Sequence, residues 1–408
     1  MTEGRPRALV IGGSIGGLFA ANLLRTAGWD VAVFERTTGH LGDRGTGIGT
    51  RDELFAVMRR IGVHMDESNG VAVRGRTGLG RDGDIVHRLG VRSVTSAWPR
   101  IWQPLHEALP PGAWRGGMAL IGIEQSEGSV TAVFADGTRE RGDLLVGADG
   151  VHSTVRAQFL PGLKPAYAGY VAWRGVVEQR QLDASLHGLM FNEMIFGFPD
   201  GELMLSIPMP GPEDGPYRKQ GRCHFVWFRP IATDALADLC TDASGRRHGL
   251  SIPPTLIRPE LLTALKADAD ALLAPQLAAL VKGTGQIILQ PIFDLESPQV
   301  VFGRVALMGD AAFVARPHVA TGVMKAALDA ERLANALAGP ASDLAGGLAH
   351  YDRETRRFGQ WLVARGRHIG SYFEARHLDQ RQRIETVMQE YGAAGMVDNE
   401  PIAVRARA

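Results

Sequence analysis

The stretch Val10-Ile11-Gly12-Gly13-Ser14-Ile15-Gly16-Gly17 joins an apolar segment to a run with helical periodicity. Residues 7–11 before the glycines are typical of a short buried strand. Residues 16–27 are typical of a helix whose apolar side chains fall on one side, and Gly28 is placed to end it as a left-handed cap. Residues 31–35 then form a second strand-like run. This order predicts a βαβ unit with a glycine-rich turn at its first strand end.

Such a turn is suited to a dinucleotide pyrophosphate, because glycines let the phosphates approach backbone N–H groups at a helix N-terminus. Ser14 stands where the middle glycine of the fingerprint is usual, and an acidic residue at the second strand end can accept from a ribose hydroxyl. The alternative is an unrelated tight turn with a surface glutamate. The cofactor-binding residues predicted here are Gly12, Ser14, Ile15, Gly17, Glu35 and Arg36.

Two remote segments resemble further walls of the same site. They are residues 143–150, DLLVGADG, and residues 304–312, RVALMGDAA. Asp310 follows a strand, where its carboxylate can accept from a ribityl hydroxyl. The N–H groups of Ala320, Thr321 and Gly322, near a helix start, can face the electron-rich edge of a reduced flavin. Gly309-Asp310 alone is typical of an ordinary turn, but together the three segments predict one flavin site.

Composition excludes several classes of protein. Hydrophobic residues make up 45% and charged residues 22% of the 408 residues, as in globular proteins. Lys plus Arg and Asp plus Glu both number 44, so no overall field favours nucleic acid or an anionic membrane. Two cysteines without metal-ligand spacing predict neither a disulfide framework nor a metal site. The N-terminus lacks the pattern of a secretory signal, and we expect a cytoplasmic protein.

The order of the elements predicts an α/β fold. We expect a Rossmann-type FAD-binding domain, discontinuous in sequence, with an inserted α+β substrate domain on an antiparallel sheet, and C-terminal helices. The predicted FAD-binding domain takes residues 1–70, 96–166 and 290–345, the substrate domain residues 71–95 and 167–289, and the C-terminal helices and tail residues 346–408. The C-terminal helices offer a surface for a homodimer.

With these motifs, the chain resembles the single-component FAD-dependent aromatic hydroxylases typified by p-hydroxybenzoate hydroxylase, over nearly its whole length. Residues 167–175, YAGYVAWRG, and 316–322, RPHVATG, are similar to the 2,6-dihydroxypyridine 3-hydroxylase branch. The resemblance implies that Asp149 and Arg156 shape the pyrophosphate and nicotinamide-approach region and that Asp310 holds FAD. Phe313 stands where the wider family has His, and Ala320 where Gly is usual.

The activity implied by this resemblance is a monooxygenase reaction. Such enzymes reduce FAD with NADH or NADPH and add O₂ to give a C4a-hydroperoxyflavin, which hydroxylates a small electron-rich aromatic or pyridine ring that carries a hydroxyl group. They need a dry pocket, a way to remove the hydroxyl proton and no metal. Two alternatives remain open: a flavin-dependent dehydrogenase or oxidase, and a flavin-binding module without catalysis, which Phe313 and Ala320 favour.

Three residues are candidates for the chemistry. His318 lies in the predicted flavin loop, where an imidazole of ordinary pKa could take a phenolic proton; the alternative is a histidine that only bonds backbone. Tyr170 and Arg174 lie at the entry to the predicted substrate domain and could orient a polar ring, although Tyr170 also suits core packing.

Further residues could belong either to the binding site or to the surface or core of the protein. Arg44 and Arg100 are predicted to reach the cofactor, with a solvated surface position as the alternative. Alternating apolar side chains on two predicted strands are candidates to line the ring pocket, although such alternation is more typical of a core. They are Met204, Phe225, Trp227 and Phe228.

Overall fold

The computed structural model describes residues 5–39, 41, 47–211, 221–249, 251–338, 343–372 and 380–391. The strands are β1 (Arg7–Ile11), β2 (Asp30–Glu35), β3 (Gly47–Thr50), β4 (Val71–Val73), β5 (Arg76–Leu79), β6 (Ile85–Leu89), β7 (Ser93–Ala97), β8 (Trp114–Gly116), β9 (Leu120–Gln125), β10 (Val130–Phe134), β11 (Arg139–Gly142), β12 (Leu144–Gly147), β13 (Ala166–Glu178), β14 (Met194–Gly197), β15 (Leu203–Met209), β16 (Arg222–Pro230), β17 (Ile287–Glu296), β18 (Val301–Phe302), β19 (Val305–Leu307) and β20 (Phe313–Val314).

The α-helices alternate with these strands and then follow them. They are α1 (Ile15–Thr26), α2 (Asp52–Ile61), α3 (Trp98–Glu107), α4 (Thr154–Phe159), α5 (Ala184–Met190), α6 (Thr233–Leu239), α7 (Pro259–Leu272), α8 (Pro275–Gly283), α9 (Gly322–Ala336), α10 (Leu344–Ser371) and α11 (Gln380–Glu390).

The first large element is a six-stranded sheet with the order β18-β19-β12-β1-β2-β8, here called the parallel sheet. All neighbours from β19 to β8 run parallel, and β18 is antiparallel to β19. Strand β1 is almost completely buried, as expected for a strand covered on both faces. Helices α1 and α9 pack against each other beside it. Because β2 and β12 lie on opposite sides of β1, a crevice opens at the carboxyl ends of these strands.

The second is an eight-stranded sheet with the order β20-β17-β13-β16-β15-β14-β5-β6, here called the large sheet. Its neighbours are antiparallel except β14 and β5, which are parallel. One face packs against α7 and α8, with Trp173, Phe225 and Trp227 in that core. The other face carries Tyr170 and Phe228 and packs partly against α11. This second face is called the site face below.

The face assignment corrects part of the ring-pocket prediction. Met204, Phe225 and Trp227 lie in the core under α7 and α8, on the side away from the site face. Phe228 does lie on the site face. Since side chains alternate along a strand, the sequence shows which residues share a face, but the packing of the sheet decides which face looks at the site.

The predicted fold class is confirmed: a parallel α/β sheet is combined with a largely antiparallel sheet and helices at the C-terminal end. The predicted segment 71–95 supplies β5 and β6 to the large sheet, and β4 and most of β7 to a three-stranded sheet with the order β3-β7-β4. The exact domain boundaries stay a prediction. Within the described ranges, no helix is both long and apolar enough to cross a membrane.

Candidate active site

A cleft of about 550 Å³ lies at the carboxyl ends of β1, β2 and β12 and beside the start of α9. It brings together all three motif segments, although they are far apart in the chain. The predicted cofactor-binding residues that line it are Gly12, Ser14, Ile15, Glu35, Arg36, Asp149, Asp310 and Gly322.

The glycine turn at the cleft is fixed by close backbone packing. Gly12 has a φ of +110°, and a Cβ there would collide with the carbonyl oxygen of Ala148. Its N–H donates to the carbonyl of Phe34 at 2.8 Å, which ties the turn to β2. Gly17 lies behind the turn, where a Cβ would collide with the carbonyl oxygen of Gly12. Gly17 therefore shapes the turn from behind, without lining the cleft.

Ser14 and Glu35 differ in how many hydrogen-bonding positions they leave free for a molecule in the cleft. Ser14 is the N-cap residue of α1, yet its exposed hydroxyl makes no capping hydrogen bond. Glu35 is 7% exposed and accepts from the N–H of Gly13 at 2.8 Å and of Thr37 at 3.0 Å. A carboxylate has about four acceptor positions, so Glu35 keeps capacity for a ribose hydroxyl.

Asp149 presents an oxygen atom without a partner. Its Oδ2 accepts from the N–H groups of Thr154 and Val155 at 2.7 and 3.1 Å. Its Oδ1 is buried and has no hydrogen-bond partner among the described residues. Burial raises the pKa of this carboxyl, while the hydrogen bonds oppose the rise. Asp149 therefore offers a place for a hydroxyl or N–H donor from a bound molecule.

The Gly309-Asp310 turn is held from behind by a buried ion pair. The ammonium group of Lys325 donates to the carbonyl of Gly309 at 2.8 Å and to Asp329 Oδ2 at 2.8 Å. The same Asp329 oxygen accepts from the N–H of Gly309 at 3.0 Å. Arg156 holds the far side by donating to the carbonyl of Ala311 at 3.0 Å. These hydrogen bonds fix the backbone of Gly309 and Ala311, on either side of Asp310.

Asp310 itself opens onto the cleft. The surrounding walls reduce its solvation and raise the pKa of its carboxyl, with the charge of Asp329 adding to the rise and those of Lys325 and Arg156 opposing it. A carboxyl in this position can accept from a polyol hydroxyl. Sequence reasoning missed Lys325 because a charged pair four residues apart is typical of an exposed helix face.

The loop before α9 differs in one respect from the prediction. A 3₁₀ turn over Pro317–Val319 ends at Ala320, whose φ is +50°. The N–H of Ala320 donates to the carbonyl of Pro317 at 2.9 Å, so the turn already uses a donor that was expected to face the flavin ring. Thr321 keeps a buried Oγ1 atom that has no partner among the described residues. Thr321 and Gly322, at the helix start, remain the candidate donors.

Ala320 also lines a second cavity, of about 880 Å³. Strands β3, β4, β5 and β7 contribute to its walls, as do Met194 and Tyr391. Gly49 of β3 lies beside Ala320, since a Cβ at Gly49 would lie 4.0 Å from the Ala320 carbonyl oxygen. The second cavity therefore extends from the loop before α9 toward the site face of the large sheet.

His318 contacts the large sheet directly. Its Nε2 lies 2.5 Å from the hydroxyl oxygen of Tyr170, and its ring centroid lies 4.6 Å from that of Phe228. His318 is completely buried. Burial, together with the charges of Arg316 and Arg174, lowers the pKa of the imidazole to about 3. The expectation of an ordinary histidine pKa is therefore wrong, and His318 is neutral at neutral pH in the substrate-free protein.

Two predicted arginines have other positions. The guanidinium of Arg100 donates to the carbonyls of Asn69 and Gly211 at 3.3 and 3.2 Å, and the residue does not line the 550 Å³ cleft. Arg44 lies outside the described residues. A role for either residue at the cofactor stays a prediction.

Comparison with known proteins agrees with this geometry. The chain is 33% identical to the 2,6-dihydroxypyridine 3-monooxygenase of Paenarthrobacter nicotinovorans over 366 residues, which cover 88% of this chain and 89% of the relative. The chain belongs to the FAD-dependent aromatic hydroxylases. It is also 26% identical to the 6-hydroxynicotinate 3-monooxygenase of Pseudomonas fluorescens, covering 81% of this chain and 82% of that one.

Structural similarity extends over the whole hydroxylase chain. The structure of 2,6-dihydroxypyridine-3-hydroxylase from Arthrobacter nicotinovorans superposes with a TM-score of 0.85 at 28% identity, covering 97% of this chain and 96% of that one. A profile of the family described as FAD binding domain-like matches residues 167–294. These similarities confirm the predicted family, its branch and a monooxygenase activity, and they leave the dehydrogenase and non-catalytic alternatives without support.

The residues of the cleft fit FAD, the cofactor of this hydroxylase family. The partner-free Oδ1 of Asp149, the exposed Ser14 hydroxyl and the Asp310 carboxyl are placed for polar contacts along a dinucleotide. The crevice at the ends of β1, β2 and β12 is where such sheets bind dinucleotides. Bound FAD, reduced by NADH or NADPH, supplies the means to activate O₂. The individual assignments of residues to FAD atoms stay predictions.

Proposed function

We propose that this hydroxylase acts on a small pyridine ring that carries a hydroxyl group. The relatives named above act, by their names, on 2,6-dihydroxypyridine and 6-hydroxynicotinate, which share such a ring. In the present chain, the contact between His318 and Tyr170 carries the proposal. It links the loop before α9 to the site face of the large sheet, in a place that is closed to bulk water.

The pair is suited to removing the proton of a ring hydroxyl. Because burial keeps the pKa of His318 near 3, the imidazole does not store a proton at neutral pH. We assign it a relay role, in which one ring nitrogen accepts the hydroxyl proton as Nε2 releases its own to the Tyr170 hydroxyl, and Tyr170 in turn releases its proton to water in the cavity beside it. The loss of the proton makes the ring oxygen negative and the ring electron-rich.

Tyr170 gives this proton a route away from the ring. Tyr170 lines a third cavity, of about 270 Å³, whose walls also include Arg316, Arg367 and Ser371. A Cβ at Gly370 would lie 3.4 Å from the Tyr170 hydroxyl oxygen, so the backbone of α10 closes on that oxygen. The relay therefore leads from the buried loop to a cavity on the far side of Tyr170.

The proposal is tested with the purified holoenzyme and a panel of rings. We expect 2,6-dihydroxypyridine or 6-hydroxynicotinate to accelerate the oxidation of NADH or NADPH and to yield a product with one added oxygen atom that comes from ¹⁸O₂. 4-Hydroxybenzoate serves as the comparison ring without a ring nitrogen. If pyridines only trigger the release of hydrogen peroxide while 4-hydroxybenzoate is hydroxylated, the pyridine assignment is overturned.

Three other expectations remain open to direct measurement. Light scattering coupled to gel filtration tests the homodimer. Fractionation of the producing cells tests the cytoplasmic location. Limited proteolysis tests whether the chain divides at the proposed boundaries, with residues 71–95 and 167–289 in one domain and residues 1–70, 96–166 and 290–345 in the other.

A further inference from the structure

Two arginines on the site face of the large sheet have no carboxylate partner in the part of the chain that the structure describes. They are Arg76 on β5 and Arg174 on β13, and no acidic side chain among the described residues forms an ion pair with either. A guanidinium stays charged at neutral pH, and a buried charge without a counter-charge is costly. By contrast, Arg316 at this end of the molecule pairs with Asp294 at 2.9 Å.

Arg174 is directed into the site. It lies opposite Val226 in the register of β13 and β16, and Val226 packs on the site face. The charge of Arg174 acts on His318 of the loop before α9, on His224 of β16 and on Tyr391. These three groups come from different elements, so Arg174 lies close to the loop before α9, to β16 and to Tyr391. Its Nε is buried and has no hydrogen-bond partner among the described residues.

Arg76 lies near Tyr391 as well, on a different strand of the large sheet. It is 5% exposed, lies opposite Met194 in the register of β5 and β14, and lines the 880 Å³ cavity together with Ala320 and Tyr391. Its guanidinium donates to the carbonyl of Met388. The charges of both arginines act on Tyr391, so both lie near that residue. The cavity beside the loop before α9 is therefore lined by Arg76 and Tyr391, and Arg174 lies close to its Tyr391 wall.

His224 adds a buried polar ring whose nitrogens have no hydrogen-bond partner among the described residues. The residue is 1% exposed. Burial and the charge of Arg174 hold its pKa well below the ordinary value, so the ring is neutral and can donate one hydrogen bond. Buried polar atoms normally have partners, so the nitrogens of His224 and the Nε of Arg174, which have none among the described residues, indicate a ligand.

We propose that Arg174, Arg76 and His224 form a subsite for a negatively charged oxygen on the substrate ring. This proposal rests on the proposed function, and it adds the charge state of the substrate. The counter-charge that the described residues do not provide is supplied by the ligand, either as a ring oxyanion or as a carboxylate on the ring. Either oxygen offers the acceptor that two guanidinium groups and a neutral imidazole require.

The subsite makes a prediction about stability before any substrate is added. Arg174→Met removes an uncompensated charge and keeps an apolar stem, so the substrate-free holoenzyme should melt at the same temperature or higher. A purely structural arginine would behave in the opposite way. Arg88→Met is the matched control, since Arg88 is an exposed residue of β6 in the same sheet. A clear fall in melting temperature for Arg174→Met beyond that of the control would overturn the proposal.

Binding is then measured by calorimetry with the holoenzyme in the absence of NADH and NADPH. The carboxylate arm compares 6-hydroxynicotinate with the neutral 6-hydroxynicotinamide, and the oxyanion arm compares 2,6-dihydroxypyridine with 2,6-dimethoxypyridine. In at least one arm, Arg174→Met and Arg76→Met should lower the affinity for the anionic ring by about 10- to 100-fold. The affinity for the neutral ring should stay within about threefold of that of the unaltered enzyme. Arg174→Lys should retain part of the affinity, because it keeps the charge and loses the planar fork.

The outcomes separate this proposal from the function itself. The arm that responds identifies the source of the negative oxygen. If both variants lower the affinity for anionic and neutral rings equally, the subsite proposal is wrong. Hydroxylation of a pyridine by the unaltered enzyme would then still support the proposed function. If anionic rings bind through the arginines but none is hydroxylated, the subsite stands and the proposed reaction fails.

Discussion

The Nε2 atom of His318 lies 2.5 Å from the hydroxyl oxygen of Tyr170, a residue 148 positions earlier in the chain. This contact joins the loop that precedes α9 to the central region of the large sheet. Neither residue is exposed to bulk solvent, since Tyr170 is 6% and His318 is 0% exposed. In the proposed relay, the pair passes a proton from the substrate ring to the cavity beside Tyr170, with little competition from bulk water.

Removing the Tyr170 hydroxyl should slow hydroxylation without loss of FAD. In Tyr170→Phe the ring packing on Phe228 is retained, but the imidazole loses its proton acceptor, and we expect turnover to fall by about 10- to 100-fold. Product formation per NADH or NADPH oxidised is the measurement. Tyr167→Phe is the control, because the Tyr167 hydroxyl lies on the same strand and donates to the carbonyl of Ile231 at 3.0 Å. Equal turnover in both variants would contradict the relay.

The depressed pKa of His318 should be visible in the pH dependence of unfolding. In the unfolded chain the imidazole takes a proton near pH 6.5, whereas in the folded protein it resists protonation down to about pH 3. The unfolded state therefore binds more protons between these values, and the stability that His318 contributes above pH 6.5 is lost as the pH falls. His224, whose pKa is also lowered, acts in the same direction.

The variant His318→Asn isolates the contribution of this one imidazole. Between pH 6 and pH 5 we expect the free energy of unfolding of the unaltered protein to fall more steeply than that of the variant, by about 1.4 kcal/mol per pH unit. Urea titrations of both proteins at several pH values give the two slopes. Comparing slopes avoids the separate effect of the substitution on packing. Parallel slopes would show that His318 titrates normally in the folded protein.

The cleft could be predicted from the sequence because each of its walls is a local motif. The glycine turn at Gly12, the strand end at Asp149 and the turn at Asp310 each combine a strand with a residue type that the nucleotide needs. Parallel strands bring their carboxyl ends to one edge, so the convergence of these motifs follows from the fold class. Local patterns were sufficient for this part of the site.

The ring-binding part of the site was harder to predict because it depends on which face of the large sheet is turned toward the substrate. Alternation on β16 placed Phe225 and Trp227 together but gave no sign that they pack under α7 and α8. The sequence feature that indicates the site face is a polar residue within an apolar strand. His224 on β16 and Arg174 on β13 are such residues, and both lie on the site face. A charged or polar residue that interrupts a buried strand marks the functional face better than the aromatic residues beside it.

A methyl group at Gly12 should disable FAD binding more than the same change at another glycine with positive φ. Gly12→Ala places a Cβ against the Ala148 carbonyl, whereas Gly28, with a φ of +94°, has open space around its Cβ position. Both variants carry the backbone strain of a positive φ, so the difference reports the collision. We expect Gly12→Ala to be purified with little FAD and Gly28→Ala to retain it. The ratio of absorbance at 450 nm to protein concentration, a general flavin measure, checks this, and equal FAD content would contradict the assignment.

The ion pair of Lys325 and Asp329 should couple protein stability to the position of Asp310. The side chains of the two residues are 2% and 0% exposed, and between them they bind both the N–H and the carbonyl of Gly309. Lys325→Met leaves Asp329 buried with Arg332 as its remaining cation, at 3.4 Å. Breaking a buried pair by removing one partner costs about 3–5 kcal/mol.

We therefore expect Lys325→Met to lower the free energy of unfolding by about 3 kcal/mol, reduced from the upper end of that range because Arg332 remains. FAD should also dissociate faster, because the Gly309-Asp310 turn loses the donor to its carbonyl. Arg332→Met is the matched control, since it removes the partly exposed cation of Asp329 and leaves the Lys325 contacts intact. Urea titration gives the first quantity, and the recovery of FAD fluorescence on dilution gives the second. If Lys325→Met is destabilised while FAD dissociates at the unaltered rate, the pair supports the fold alone and does not position Asp310.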